Sequence, residues 1–128
     1  MSLKPNVFNK LCPSRDIIFR LSGKWTILIL NLLESKPKRF SEIKQQVQGI
    51  SQKVLTENLR SLERDGLISR NVLSTRPLMV EYRTTKLSNE LLKILSKLTS
   101  YAQNSMKTIL NNNKNFDKKI NTTRKISL

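Results

Sequence analysis

Hydrophobic residues recur at helical spacing along most of the chain and predict five helices and one β-hairpin. A short first helix, residues 14–21, carries one apolar side. The second helix, residues 24–33, is apolar on nearly every side, and a helix of this kind belongs in a protein core. Pro37 follows and ends it. The N-terminal third therefore predicts two helices, the second of them buried.

A third helix and a glycine turn are predicted next. Ser41 is expected to cap this helix, because a serine hydroxyl can accept from the free N–H groups of a first turn. Ile43 and Val47 face inward. Gly49 is expected to end the helix, since glycine adopts the left-handed conformation easily.

The fourth helix, predicted over residues 51–65, is amphipathic, with Ser51 as its cap and Gly66 as its stop. The stripe predicted to face inward comprises Val54, Leu55, Leu59 and Leu62. The opposite side carries polar and charged residues, which are Gln52, Lys53, Thr56, Glu57, Arg60 and Arg64. One side therefore packs, and the other faces solvent.

A hairpin and a long helix complete the pattern. Residues 67–73 and 80–85 are two short extended runs, and the turn at 74–77 places Arg76 near its tip. The last helix, residues 88–110, is about 35 Å long and carries an apolar stripe longer than a small core needs.

The charge balance narrows the classes of partner. The 128 residues include 24 Lys and Arg against 9 Asp and Glu, a formal net charge of +15. Such a field attracts polyanions, so nucleic acid or an anionic membrane surface leads the list of partners. The chain has no run of about 18 apolar residues and no apolar signal segment near its start. We therefore expect a cytoplasmic protein that does not span a membrane.

The rare residue types argue against an enzyme. The chain has no histidine, one cysteine and three glycines. A Ser-His-Asp triad, a Cys-His pair and an imidazole-dependent zinc site are therefore excluded, and no phosphate-binding glycine motif occurs. A single cysteine cannot close an internal disulfide, which favours a reducing compartment. We expect no catalytic residues, no cofactor and no metal.

Composition also divides the chain into an N-terminal arm (1–10), one folded domain (11–110) and a basic tail (111–128). The tail is rich in Asn and Lys and poor in large apolar residues, and it is predicted to be flexible. Two roles remain open for it: an arm that touches DNA, or an end that only increases solubility.

A helix, a glycine turn, a capped helix and a basic hairpin together predict a winged helix-turn-helix, in a mainly α fold with a small β-hairpin. The recognition helix would be residues 51–65, whose N-terminal side chains reach base edges in the major groove. Gln52 suits adenine, Lys53 suits guanine, and Thr56 suits a base edge or a thymine methyl. The residues expected to contact double-stranded DNA are Lys38, Arg39, Ser51, Gln52, Lys53, Thr56, Arg60 and Arg76.

Other interpretations of these residues compete with sequence-specific DNA binding. A polar helix face is ordinary in any protein, and each of these residues alone says little. A non-specific basic nucleic-acid-binding or architectural protein would bind through phosphate contacts with weak sequence preference. A membrane-surface protein is disfavoured, because the apolar residues of the fourth helix are needed for the core.

The chain also resembles the HxlR family of winged-helix transcriptional regulators over roughly residues 11–105. The residues that carry the resemblance are Cys12-Pro13, Gly23-Lys24-Trp25 with the apolar run after it, Arg39-Phe40-Ser41-Glu42-Ile43, Gly49-Ile50-Ser51-Gln52-Lys53-Val54-Leu55-Thr56, Leu59-Arg60-Ser61-Leu62-Glu63-Arg64-Asp65-Gly66-Leu67-Ile68 and Val80-Glu81-Tyr82. The order and spacing of these motifs agree throughout.

The resemblance implies a homodimer that binds an inverted-repeat operator and pairs through its N-terminal and C-terminal helices. The residues expected in that interface are Ile17, Ile18, Leu21, Leu91, Ile94, Leu95, Leu98, Tyr101, Ala102, Met106 and Ile109. The alternative is that these side chains only fill the core of a monomer.

Cys12 is a candidate redox sensor. It lies at the start of the first helix between Lys10 and Arg15, and a helix N-terminus and nearby cations lower the pKa of a thiol. The resemblance implies the same role, because some family members sense oxidants or electrophiles through the matching cysteine. An oxidant or small-molecule effector therefore joins the list of partners. The alternative is a small, inert packing residue.

Overall fold

The computed structural model describes the backbone of residues 4–127 and the side chains of residues 4–124. Residues 1–3 of the predicted arm and residue 128 of the predicted tail lie outside the described residues. The elements, in chain order, are α1 (Pro13–Leu21), α2 (Lys24–Ser35), β1 (Lys38–Arg39), α3 (Phe40–Gln46), α4 (Gln52–Arg64), β2 (Ile68–Thr75), β3 (Leu78–Thr84) and α5 (Asn89–Ser127). A single 3₁₀ turn, Lys86–Ser88, precedes α5.

The core is built from α2, α3 and α4 together with the sheet. The most deeply buried apolar side chains are Ile29, Leu30, Leu33, Ile43, Leu55, Leu59 and Ile68. Helix α4 packs on both α2 and β2. Burial of its stripe leaves the polar side of α4 in solvent, as its periodicity predicts.

The two ends of α4 confirm the signals read from the sequence. The Ser51 hydroxyl oxygen accepts from the backbone N–H of Val54 at 3.1 Å, which satisfies one free donor of the first turn. Gly66 follows the helix with φ +78°, a conformation that disfavours any other residue. The start and the end of α4 are therefore marked by local signals.

Helix α3 differs from its prediction at both ends. It begins at Phe40, so Arg39 rather than Ser41 occupies the N-cap position. The Arg39 N–H donates to Glu42 Oε1 at 3.0 Å. This carboxylate, and not the serine hydroxyl, therefore accepts from a free N–H at the helix start. The helix ends at Gln46, and Gly49 lies beyond it in the turn with φ +89°. A short helix offers too few periodic positions to fix its bounds from sequence.

The sheet has three antiparallel strands in the order β1-β3-β2, where the sequence predicts only a hairpin. Lys38 and Arg39 in β1 pair with Tyr82 and Glu81 in β3. Two residues are too short to show strand alternation, so β1 leaves no sequence signal. Leu73 is the extra residue of a bulge in β2, which bends the wing near its tip. The whole arrangement is the winged helix-turn-helix that the sequence predicts.

Helix α5 runs to Ser127, well beyond the predicted end at residue 110. The chain divides into two compact units, and the division falls between Lys93 and Ile94, within α5. The segment predicted to be a flexible tail is helical as far as the structure describes it. Phe116 and Ile120 continue the apolar stripe into this segment, which its Asn-rich composition obscures. Among the described helices, none is long and apolar enough to cross a membrane.

We predict that Ser51→Ala lowers the free energy of unfolding by about 1 kcal/mol, because the Val54 N–H loses its acceptor. Urea denaturation followed by circular dichroism measures the change. Ser51→Asn is the matched control and is expected to retain most of the stability, since asparagine is an equally good cap. Equal losses in both variants would show that the cap does not stabilise α4.

Candidate nucleic-acid interface

The solvent-facing side of α4 presents the residues predicted to read bases. Gln52, Lys53 and Arg60 are exposed, and Thr56 is half-buried between them. The Thr56 hydroxyl donates to the Gln52 backbone carbonyl at 2.9 Å, which leaves its oxygen as an acceptor for an outside partner. Ser51 is exposed at the helix start, where its oxygen acts as the cap.

A cleft of about 590 Å³ separates this side of α4 from the sheet. The helix contributes polar side chains to it, and β3 contributes mainly apolar ones. The lining residues are Phe40, Gln52, Thr56, Arg60, Glu63, Arg70, Leu78, Val80 and Tyr82. The recognition helix and the wing therefore form the two walls of one open groove.

Arg70 is a residue of the cleft that the sequence analysis missed. It lies on β2 opposite Tyr82 in β3, and it lines the same cleft as Arg60. Alternation along β2 places Arg70 on the same face of the strand as Ile68 and Val72, and this is the sequence signal that could have found it. The cleft thus has a cation on each wall.

The wing tip carries Arg76, which is exposed as predicted. The Arg76 N–H donates to the Ser74 hydroxyl at 3.3 Å, a contact within the turn. Leu73 and Leu78 flank the tip and are also exposed. The tip is therefore a cation among apolar side chains.

Lys38 is almost fully buried, unlike the other residues predicted to contact DNA. Only 6% of its surface is exposed, because it sits in the short β1 strand against β3. Its neighbour Arg39 is exposed. The pKa of Glu42 is lowered, chiefly by the hydrogen bond from the Arg39 N–H and, to a smaller extent, by the positive charges of Lys38 and Arg39. Lys38 is therefore less accessible to DNA than Arg39, and its contact with the DNA backbone stays a prediction.

An ion pair ties α1 to the end of α4. Arg20 Nε donates to Asp65 Oδ2 at 3.0 Å, and Arg20 Nη2 donates to Asp65 Oδ1 at 3.0 Å. Two parallel hydrogen bonds fix direction as well as distance. The ion pair therefore connects the last turn of α1 to the C-terminal end of α4.

Cys12 occupies the N-cap position of α1 and is partly buried. Its sulfur accepts from the Asn6 N–H at 3.3 Å and lies 3.1 Å from the Ser14 hydroxyl. These hydrogen bonds lower the pKa of the thiol, and the hydrogen bond from Asn6 has the larger effect. The backbone of Ser14, in the first turn of α1, also lowers this pKa, so the expected effect of the helix N-terminus is present, whereas the charges of Lys10 and Arg15 are not among the causes.

The residues predicted to form a dimer interface are mostly accessible in the single chain. Ile17 and Ile18 on α1 are exposed, and so are Ile94 and Tyr101 on α5, at 62% and 64%. Leu98, Ala102, Met106 and Ile109 are also exposed, while Leu21 and Leu91 are half-buried. Leu95 is different: at 4% exposure it is already buried within the single chain. It is therefore less accessible to a second copy than the other residues, and its place in the interface stays a prediction.

Known proteins share this fold and much of this sequence. The HxlR-like helix-turn-helix family model matches residues 20–109. The chain is 30% identical over 105 residues to the HTH-type transcriptional regulator YtfH of Escherichia coli K12, and the alignment covers 82% of this chain and 83% of that protein.

Solved structures agree with this assignment. The structure of the transcriptional regulator ytfH from Salmonella typhimurium superposes with a TM-score of 0.82 at 29% identity, covering 87% of this chain and 99% of that one. The redox regulator HypR in its oxidized form superposes with a TM-score of 0.67 at 30% identity, covering 73% and 96%. With the family model, the relatives and the fold in agreement, the chain belongs to the HxlR-like helix-turn-helix family of DNA-binding transcriptional regulators.

Proposed function

We propose that this protein binds an inverted-repeat operator as a homodimer and reads its sequence with the N-terminal half of α4. The observation that carries the proposal is the open cleft between α4 and the wing, with Gln52, Thr56 and Arg60 on its helical wall. A cleft of this kind accepts one edge of a duplex, with bases toward the helix and phosphates toward the cations.

The roles of the cleft residues follow from their chemistry. Gln52 offers a donor and an acceptor to adenine, Lys53 donates to guanine, and Thr56 accepts from a base edge. Arg60 and Arg70 stand further along the cleft and suit phosphates, which carry most of the affinity but little sequence information. Arg76 at the wing tip suits the minor groove or a phosphate.

The exposed apolar residues of α1 and α5 support pairing of two copies. A monomer would leave Ile94, Leu98 and Tyr101 in water, whereas a second copy buries them. A twofold axis then sets the two α4 helices about one helical turn of DNA apart, ~34 Å, which matches an inverted repeat.

The position of Cys12 supports an oxidant response. Its lowered pKa favours the reactive thiolate, and Arg20 links the same helix to α4 through Asp65. The relative HypR is described as a redox regulator. We propose that modification of Cys12 moves α1 and, through this ion pair, the recognition helix.

A second candidate is a non-specific basic nucleic-acid-binding protein, which the net charge of +15 favours. Such a protein would respond to phosphate number and salt alone.

A triple substitution in α4 separates these two functions. Combined replacement of Gln52, Lys53 and Thr56 by alanine is expected to abolish sequence preference while retaining most of the affinity for bulk DNA. Titration of operator and scrambled duplexes at one salt concentration measures both quantities. Equal affinity of the wild-type chain for the two duplexes would contradict sequence reading.

Phosphate contacts are tested by Arg60→Ala and Arg76→Ala. Each variant is expected to weaken binding to every duplex and to make the slope of log affinity against log salt shallower by about one, because one phosphate contact is lost. Arg83→Ala is the charge-matched control, since Arg83 pairs with Glu81 on the other face of the sheet. Equal slopes in all three variants would place the phosphate contacts elsewhere.

The thiol is tested by Ser14→Ala. Loss of the Ser14 hydroxyl is expected to raise the pKa of Cys12 toward its ordinary value, so alkylation by iodoacetamide slows at neutral pH and its pH profile moves upward. The chain has a single cysteine, so the reaction reports this thiol alone. Ser22→Ala is the control, because the Ser22 hydroxyl donates to Ile18 at the other end of α1. An unchanged profile in Ser14→Ala would exclude Ser14 as a stabiliser of the thiolate.

A further inference from the structure

The C-terminal part of α5 carries an exposed apolar seam beyond the family match, which ends at residue 109. Phe116 is 63% exposed and Ile120 is 38% exposed. Ile109 and Met106 are exposed about two and three turns before Phe116. Large apolar side chains in a row along one helix mark a surface that another element covers.

The spacing of this seam is that of a coiled coil. Ala102, Met106, Ile109, Asn113, Phe116 and Ile120 follow each other in alternating steps of four and three residues. A repeat of this kind keeps one stripe facing a partner helix as the two helices wind around each other. In heptad notation Met106, Asn113 and Ile120 are a positions, and Ile109 and Phe116 are d positions.

Asn113 is the polar residue of the seam, and it identifies the partner. A single asparagine at an a position fixes register and favours two strands, because its amide is satisfied when it meets a second asparagine. Parallel helices in register place Asn113 of both copies side by side. A shift by one heptad would set the amide against Met106 or Ile120, where it would lack a partner.

The composition of the segment also favours a covering partner. Residues 111–123 include several Asn and Thr, which are poor helix formers. A solvent-surrounded helix of such residues gains little from its own hydrogen bonds, and most helical stability comes from packing of an apolar face.

Three of the basic charges in this segment lie away from the seam, and two lie beside it. Lys107, Lys114 and Lys118 are exposed and occupy outer heptad positions, away from the seam. Lys119 and Arg124 take g and e positions, which face each other between two parallel copies. This like-charge contact weakens pairing at low ionic strength, so salt is expected to strengthen it.

We propose that residues 102–120 of α5 form a parallel, in-register coiled coil with the same segment of a second copy of this chain. This surface extends past Ile109, where the interface of the proposed regulator ends, and so adds an element outside the matched family domain. It gives the two DNA-binding units a second connection, with Asn113 setting the register.

Engineered cysteines in the full-length chain test the proposal. In a Cys12→Ser background, Asn113→Cys and Ile120→Cys each place a thiol at an a position, and Lys118→Cys places one on the outer face. Parallel, in-register pairing predicts that a mild disulfide oxidant, diamide, cross-links the first two variants into dimers without DNA and leaves the third monomeric on a denaturing gel. An antiparallel pair centred on Asn113 would cross-link Asn113→Cys but not Ile120→Cys, and would overturn the proposal.

A second variant measures the same contact without disulfides. Phe116→Ser removes a large side chain from the seam and is expected to raise the dimer dissociation constant about tenfold or more in sedimentation equilibrium at moderate salt. Lys114→Ser is the control from the outer face. An unchanged constant in Phe116→Ser, together with no cross-linking at either a position, would overturn the proposal. Weaker binding of that variant to DNA or to phosphatidylserine vesicles would then identify the true occupant.

These outcomes are separate from those of the proposed function. Specific cross-linking in a chain without sequence preference would support the coiled coil and contradict the regulator. Operator binding that survives while both a-position variants stay monomeric under oxidant would contradict the coiled coil alone.

Discussion

Burial of the apolar stripe of α4 is the constraint on which the rest of this structure depends. Leu55, Leu59 and Leu62 are almost fully inaccessible and hold the helix on α2 and β2. Once those leucines are buried, the helical period alone places Gln52, Lys53 and Arg60 on the exposed side of the helix. The same packing sets the wall of the cleft opposite the wing. Because the apolar side of α4 must stay buried, its polar side always faces solvent.

The sequence predicts the parts of the fold that have strong local signals. Ser51 and Gly66 give the bounds of α4 to within one residue, and the apolar spacing gives its buried side. Elements that depend on contacts distant in sequence are missed or misplaced. The strand β1 exists only because Lys38 and Arg39 meet β3, and that pairing buries Lys38, which charge alone assigns to DNA.

The candidate site shows the same division. The α4 residues follow from a helical period, whereas Arg70 belongs to the cleft only because β2 folds back beside α4. The pKa of Cys12 is lowered by hydrogen bonds from Asn6 and Ser14, which depend on how the preceding loop folds over the helix start. Local composition also hides the helical end of the chain, where Phe116 and Ile120 stand among many Asn residues.

The central claim is that two copies of this cleft read a symmetric DNA sequence. Selection of bound duplexes from a random DNA pool, with purified reduced protein, tests it most directly. The account predicts enrichment of an inverted repeat whose half-sites lie about one helical turn apart. Tight, salt-sensitive retention of DNA without any enriched sequence would contradict it and leave a basic protein that recognises phosphates alone.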